Sequence, residues 1–109
     1  MNAPSSYLMG FAHMTSTERH LRLTVAALMF ATGERQADLA RGLGLSQGQV
    51  SRKQSGGHKG SLWSLADLDR LSAHYGIPVP DLLRGADHAV RLLPPARRAQ
   101  IIGGTQTML

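Results

Sequence analysis

The chain has 109 residues, 42% of them hydrophobic, enough for one small core and too few for a multidomain enzyme. Twelve Lys plus Arg against seven Asp plus Glu leave a net charge of +5, which favours a polyanionic partner such as nucleic acid or an acidic membrane. With no cysteine there is no disulfide framework, thiol nucleophile or cysteine-ligated zinc, a composition that fits a cytoplasmic location.

No apolar run approaches the roughly 18 residues that span a bilayer, so no membrane partner is expected. Residues 1–14 carry no positive charge ahead of their apolar stretch and read as a loose leader, not a secretory signal. Charge then divides the rest of the chain. Residues 1–60 hold seven basic and three acidic groups, residues 61–83 one and three, and residues 84–109 four and one. The middle reads as structural and the flanks as polyanion-facing. Aromatics are too scarce for a base-stacking surface of the kind that binds single strands.

A first helix is expected behind Thr15 or Ser16, with Glu18 completing a capping box. Leu21, Val25, Leu28 and Met29 give it one buried stripe, and Thr32 and Gly33 stop it. A second short helix runs from about Arg35 to Gly42, followed by a turn at Gly44. Ser46 caps a third from Gln47 to about Gln54, closed by Ser55, Gly56 and Gly57. Ser64 caps a fourth, with Asp67 near its dipole, Trp63 as a staple on Leu68, and a stripe of Leu65, Leu68, Leu71 and Tyr75. Gly76 ends it, Ile77 turns inward, and Pro80 opens a fifth helix through Leu83. No alternating strand pattern competes, so the fold class is all-α: a compact five-helix domain over residues 15–85. Residues 86–109 form a C-terminal extension, expected to break at Pro94 and Pro95 and to start a new helix near Ala96.

In a twenty-residue window opening at Gln36, Leu39, Ala40, Leu43, Gly44, Leu45 and Val50 occupy the fourth, fifth, eighth, ninth, tenth and fifteenth places. Such spacings describe a helix-turn-helix. Two helices crossing steeply need a small residue at the contact, Ala40, and a turn residue that tolerates positive φ, Gly44. Turning Val50 inward sends Gly48, Ser51, Arg52 and Ser55 outward, with Gln47 and Gln49 flanking at the N-terminal end, on the face that would enter a major groove. Gln can bond adenine and Arg guanine in a bidentate manner, which makes Gln47 and Arg52 the leading base readers. Arg35, Lys53, His58 and Lys59 stand as phosphate neighbours.

The strings RQADLARGLGLSQGQVSR and WSLADLDRLSAHYGIPVPDLL together resemble the lambda-repressor-like, Cro-type helix-turn-helix regulators, over Arg19 to Gly85. The second string looks most like repressors of high-GC bacteria and their phages. The resemblance implies a sequence-specific, double-stranded DNA-binding transcriptional repressor, of the phage or mobile-element immunity kind, acting as a homodimer on the nucleoid. It also implies that Gln36 contacts a phosphate and braces Gln47, with Ser46 beside it. Lys53 departs from the pattern, since its place usually holds an aliphatic residue under the reading helix. Gly48 departs too, lacking a side chain the family often turns to bases. A dimer would need apolar surface from Leu92, Leu93, Ile101 and Ile102 or from the leader.

Other chemistries fail on spacing. GGHKGS follows a helix and lacks the Lys-Ser/Thr pair of a phosphate loop, and the five histidines make no i, i+4 pair, so no metal site is expected. Asp67 and Asp69 point to different sides of a helix, better explained by capping and solvation than by a carboxylate pair. No enzyme, cofactor or small-molecule ligand is indicated. The rival class is a protein-interaction module, an antitoxin or co-regulator, to which residues 84–109 could supply the partner helix.

Overall fold

The structure, a computed structural model, describes residues 16–56 and 61–99; the leader, His58, Lys59, and the tail residues Ile101 and Ile102 lie outside that range. Among the described residues the chain is all-helical. The five expected helices are α1 (Ser16–Thr32), α2 (Gln36–Leu43), α3 (Gln47–Ser55), α4 (Leu65–Tyr75) and α5 (Val79–Leu82). A sixth, α6 (Ala86–Leu92), follows them, and Pro95–Arg97 makes a single 3-10 turn.

Local chemistry sets each boundary. The Thr32 hydroxyl lies 2.9 Å from the Leu28 carbonyl and 3.2 Å from the Met29 carbonyl, acceptors that the end of α1 leaves open and among which its single proton is shared. Gly44 follows α2 at φ 73°, in the left-handed region, and the Leu45 N–H then bonds the Ala40 carbonyl at 2.9 Å. A Cβ on Gly44 would meet nothing within 4 Å, so glycine is required there by conformation alone. Gly42 is small for the opposite reason, since a Cβ there would collide with the His74 imidazole where α2 crosses α4. The capping boxes at Ser46 with Gln49 and at Ser64 with Asp67 are both reciprocal, fixing the first turns of α3 and α4.

The core joins Leu21, Val25 and Leu28 of α1 to Leu39, Val50, Leu71 and Tyr75, with Ile77 and Leu82 closing the lower end. Residues beyond Gly85 belong to the same core. Ala89 and Leu93 are fully buried, and α6 packs along α1 more extensively than any other pair of helices. Leu93, expected to offer dimer surface, is instead core; its neighbour Leu92 remains exposed. The helix expected from Ala96 does not begin there, because Arg98 is extended after one 3-10 turn. Leu65, expected in the buried stripe of α4, is 83% exposed: it stands at the first residue of the helix, off the line of Leu68, Leu71 and Tyr75.

A polar cluster seats the extension. At the corner between α1 and α2, the Glu34 carboxylate accepts hydrogen bonds from the Tyr75 hydroxyl at 2.7 Å and the Thr32 hydroxyl at 2.9 Å, with His74 Nε2 at 2.5 Å. Arg97 closes the cluster by donating to the His74 carbonyl and lying over the Tyr75 ring. Burial raises the Glu34 pKa, but the bonds from His74, Tyr75 and Thr32 outweigh it and hold the carboxyl below its ordinary value. The Tyr75 phenol is pushed well above its ordinary value by burial and by that carboxylate.

Candidate nucleic-acid interface

The helix-turn-helix is α2, the turn through Gly44, Leu45 and Ser46, and α3. Leu39, Ala40, Leu43 and Val50 fill the wedge between the helices, all of them buried. Burying Val50 fixes the rotation of α3 and leaves Gln47, Gly48, Gln49, Ser51 and Arg52 exposed on one outer side, as the spacing predicts. The Gln47 carboxamide and the Arg52 guanidinium bond no other described side chain or backbone group.

Gln49 is differently placed. Its Oε1 accepts the Ser46 N–H at 2.8 Å while the Ser46 hydroxyl accepts the Gln49 N–H at 3.1 Å. Its carbonyl oxygen is thus committed to the cap, and Gln49 keeps only the carboxamide donor for a ligand. Ser51 is exposed one residue before Arg52. On α2, Arg35 projects into solvent and its N–H bonds the Asp38 carboxylate at 2.9 Å. That N–H, first, and the Arg41 guanidinium hold the Asp38 carboxyl below its ordinary pKa. Gln36 occupies the first helical position of α2, half-buried, and no hydrogen bond joins it to Gln47.

Lys53 does not face the outer side with Arg52. Its ammonium is 2.8 Å from Asp67 Oδ2, donates to the Leu62 carbonyl at 3.3 Å, and lies 5.7 Å from the Trp63 ring centroid. The ammonium expected beside a phosphate is instead paired with the Asp67 carboxylate at the start of α4 and nearly buried. Asp67, expected to be solvated beyond its capping role, is buried and takes a second bond from Arg70 at 2.8 Å. Burial raises its pKa, yet Lys53 and the hydrogen bonding with Ser64 outweigh that and hold it below its ordinary value.

A second set of contacts fixes the C-terminal end of α3. Arg22 of α1 donates to the Gln54 carbonyl at 2.9 Å and the Ser55 carbonyl at 3.2 Å, placing a cation on the carbonyl end of the helix. The Gln54 side chain donates to the Arg22 carbonyl at 3.1 Å and accepts the Trp63 indole N–H at 2.8 Å. The sequence alone did not mark Asp67, Arg22 and Gln54 as supports of α3. Lys53 carried a usable signal: a lysine at a place that spacing buries needs an acid within reach. Arg22 carried none, because its partners lie 32 and 33 residues away.

No helix among the described residues is long and apolar enough to cross a membrane. No curated protein and no solved structure matches the chain significantly. The BetR domain family matches it over residues 13–106.

Proposed function

Because the chain belongs to the BetR domain family, a helix-turn-helix-like DNA-binding family, we propose that it is a sequence-specific double-stranded DNA-binding transcriptional repressor. The observation that carries this reading is the outer side of α3, where Gln47 and Arg52 stand exposed and without a partner among the described residues while the helix behind them is fixed at both ends. Side chains that can read adenine and guanine are thereby held ready on a rigid element. Arg35 and Gln36 at the start of α2 supply the phosphate contacts, where free backbone N–H groups and the helix dipole also attract an anion.

A single reading helix touches too few base pairs to discriminate against a genome, so the protein acts as a symmetric homodimer on an inverted repeat, as repressors of phage and mobile-element immunity do. It carries out no catalysis and resides with the nucleoid. Selection of bound duplexes from a random pool at near-physiological salt tests the reading. Enrichment of an inverted repeat is expected; a pool that stays random would contradict sequence-specific binding.

A protein partner is the second reading, favoured by Leu23 and Phe30. They lie seven residues apart on the outer side of α1, and Phe30 is 83% exposed.

A further inference from the structure

Arg52 does not point straight away from α3. A Cβ built on Gly48 would stand 3.3 Å from Arg52 Nη1 and 3.9 Å from the Ser46 hydroxyl, so the guanidinium lies back over Gly48 toward the first turn. The direction follows from helix geometry, in which a side chain at i+4 leans over the residue at i. It is electrostatically odd, because the N-terminal end of a helix carries positive partial charge and the first turn of α3 contains no acid to offset it. A guanidinium lying there, exposed and without an ion pair among the described residues, is open to an acceptor that arrives from outside, and it lies toward the turn that carries Gln47.

Resting on the base-reading role given above to this face, we propose that Gly48 is a specificity-determining residue of the interface. Its missing side chain leaves the channel through which Arg52 reaches back beside Gln47, so that the two read neighbouring base pairs, Arg52 taking a guanine. An alanine Cβ at Gly48 would stand 3.3 Å from Nη1, so the guanidinium has to give by a few tenths of an ångström, enough to spoil a bidentate bond to a guanine edge while its charge stays near the backbone phosphates.

The test uses the full chain as parent, Gly48→Ala, Arg52→Ala and the double variant. Each is measured on the duplex the parent selects, on its single-pair variants, and by thermal melting. Gly48→Ala is expected to melt higher, since alanine is the better helix former, and yet to lose about tenfold discrimination at one G·C pair. Arg52→Ala is expected to lose discrimination at that same pair, and the double variant to lose no more than Arg52→Ala alone. A stabilised Gly48→Ala protein with undiminished selectivity would overturn the proposal while leaving base reading intact. Losses that add in the double variant would overturn it as well, since Gly48 would then act independently of Arg52. A parent that selects no duplex would instead remove the base-reading role itself, and this proposal with it.

Discussion

Arg52 and Lys53 are neighbours in sequence, both cationic, on one nine-residue helix, and the fold puts them to opposite uses. Arg52 faces out with no partner among the described residues. Lys53 faces in, its ammonium shared between a buried carboxylate and a carbonyl, above an indole. The same division runs through the rest of α3: Gln47 and Ser51 are open to solvent, whereas Gln54 bonds Arg22 and Trp63. A count of positive charges therefore overstates what the helix can present to a polyanion. The inner side converts its polar groups into orientation, and the outer side leaves them exposed.

Breaking the inner side should cost most. Trp63→Ala removes a buried ring and leaves Gln54 short of a donor; a loss of about 3–5 kcal/mol in denaturant unfolding is expected. Lys53→Met, which puts an apolar side chain in its place, leaves Asp67 buried with Arg70 and the Ser64 N–H as its remaining donors. It is expected to destabilise by about 3 kcal/mol, at the low end for a broken buried pair, and Lys53→Met with Asp67→Ala should recover part of that loss. If Lys53→Met unfolds at the parent's denaturant midpoint, the inner pairing is not what holds α3.

Variants of the outer side should do the reverse. Arg52→Ala should shift stability by less than about 0.5 kcal/mol and weaken binding to a selected duplex by about 1–3 kcal/mol, read by melting and titration together. Smaller still is the effect expected on salt dependence. Arg35→Ala should reduce the slope of log affinity against log salt by about one unit, and Lys53→Met should leave it unchanged because its ammonium faces Asp67. A reduced slope for Lys53→Met would place Lys53 back on the DNA side.

Acid should expose the inner pairing without mutation. The Asp67 and Glu34 carboxyls titrate below their ordinary values in the folded chain, so the stability they contribute is present above about pH 4 and is lost as pH falls through the folded values. The Tyr75 phenol is shifted upward, so its contribution is present through neutral pH and is lost only as pH rises past about 10. Melting followed against pH should show the difference between the parent and Asp67→Asn shrinking below about pH 4. A difference that persists unchanged in acid would mean the carboxylate charge is not what Lys53 holds.

What the sequence made legible was local. Capping residues, helical stripes and Gly44 marked five helices and the turn, and the placement of Val50 gave the outer residues of α3, all of which the fold retains. What it hid depends on partners distant in the chain. Leu93 sits just before two prolines that signal an ending, and only the packing of α6 along α1 makes it core. Asp67 looked like a cap and is one, but its burial follows from where α3 lays Lys53. Gln49 matched a base reader by type and position, and its carboxamide oxygen was already taken by the Ser46 N–H three residues earlier.

The claim that the outer side of α3 reads sequence is tested most directly by titrating the parent and Arg52→Ala with a selected duplex and with a scrambled duplex of equal length. A loss of about 1–3 kcal/mol is expected on the selected duplex and a much smaller one on the scrambled duplex, with matching melting curves. Equal losses on both duplexes would make Arg52 a phosphate contact and contradict the reading face assigned to α3.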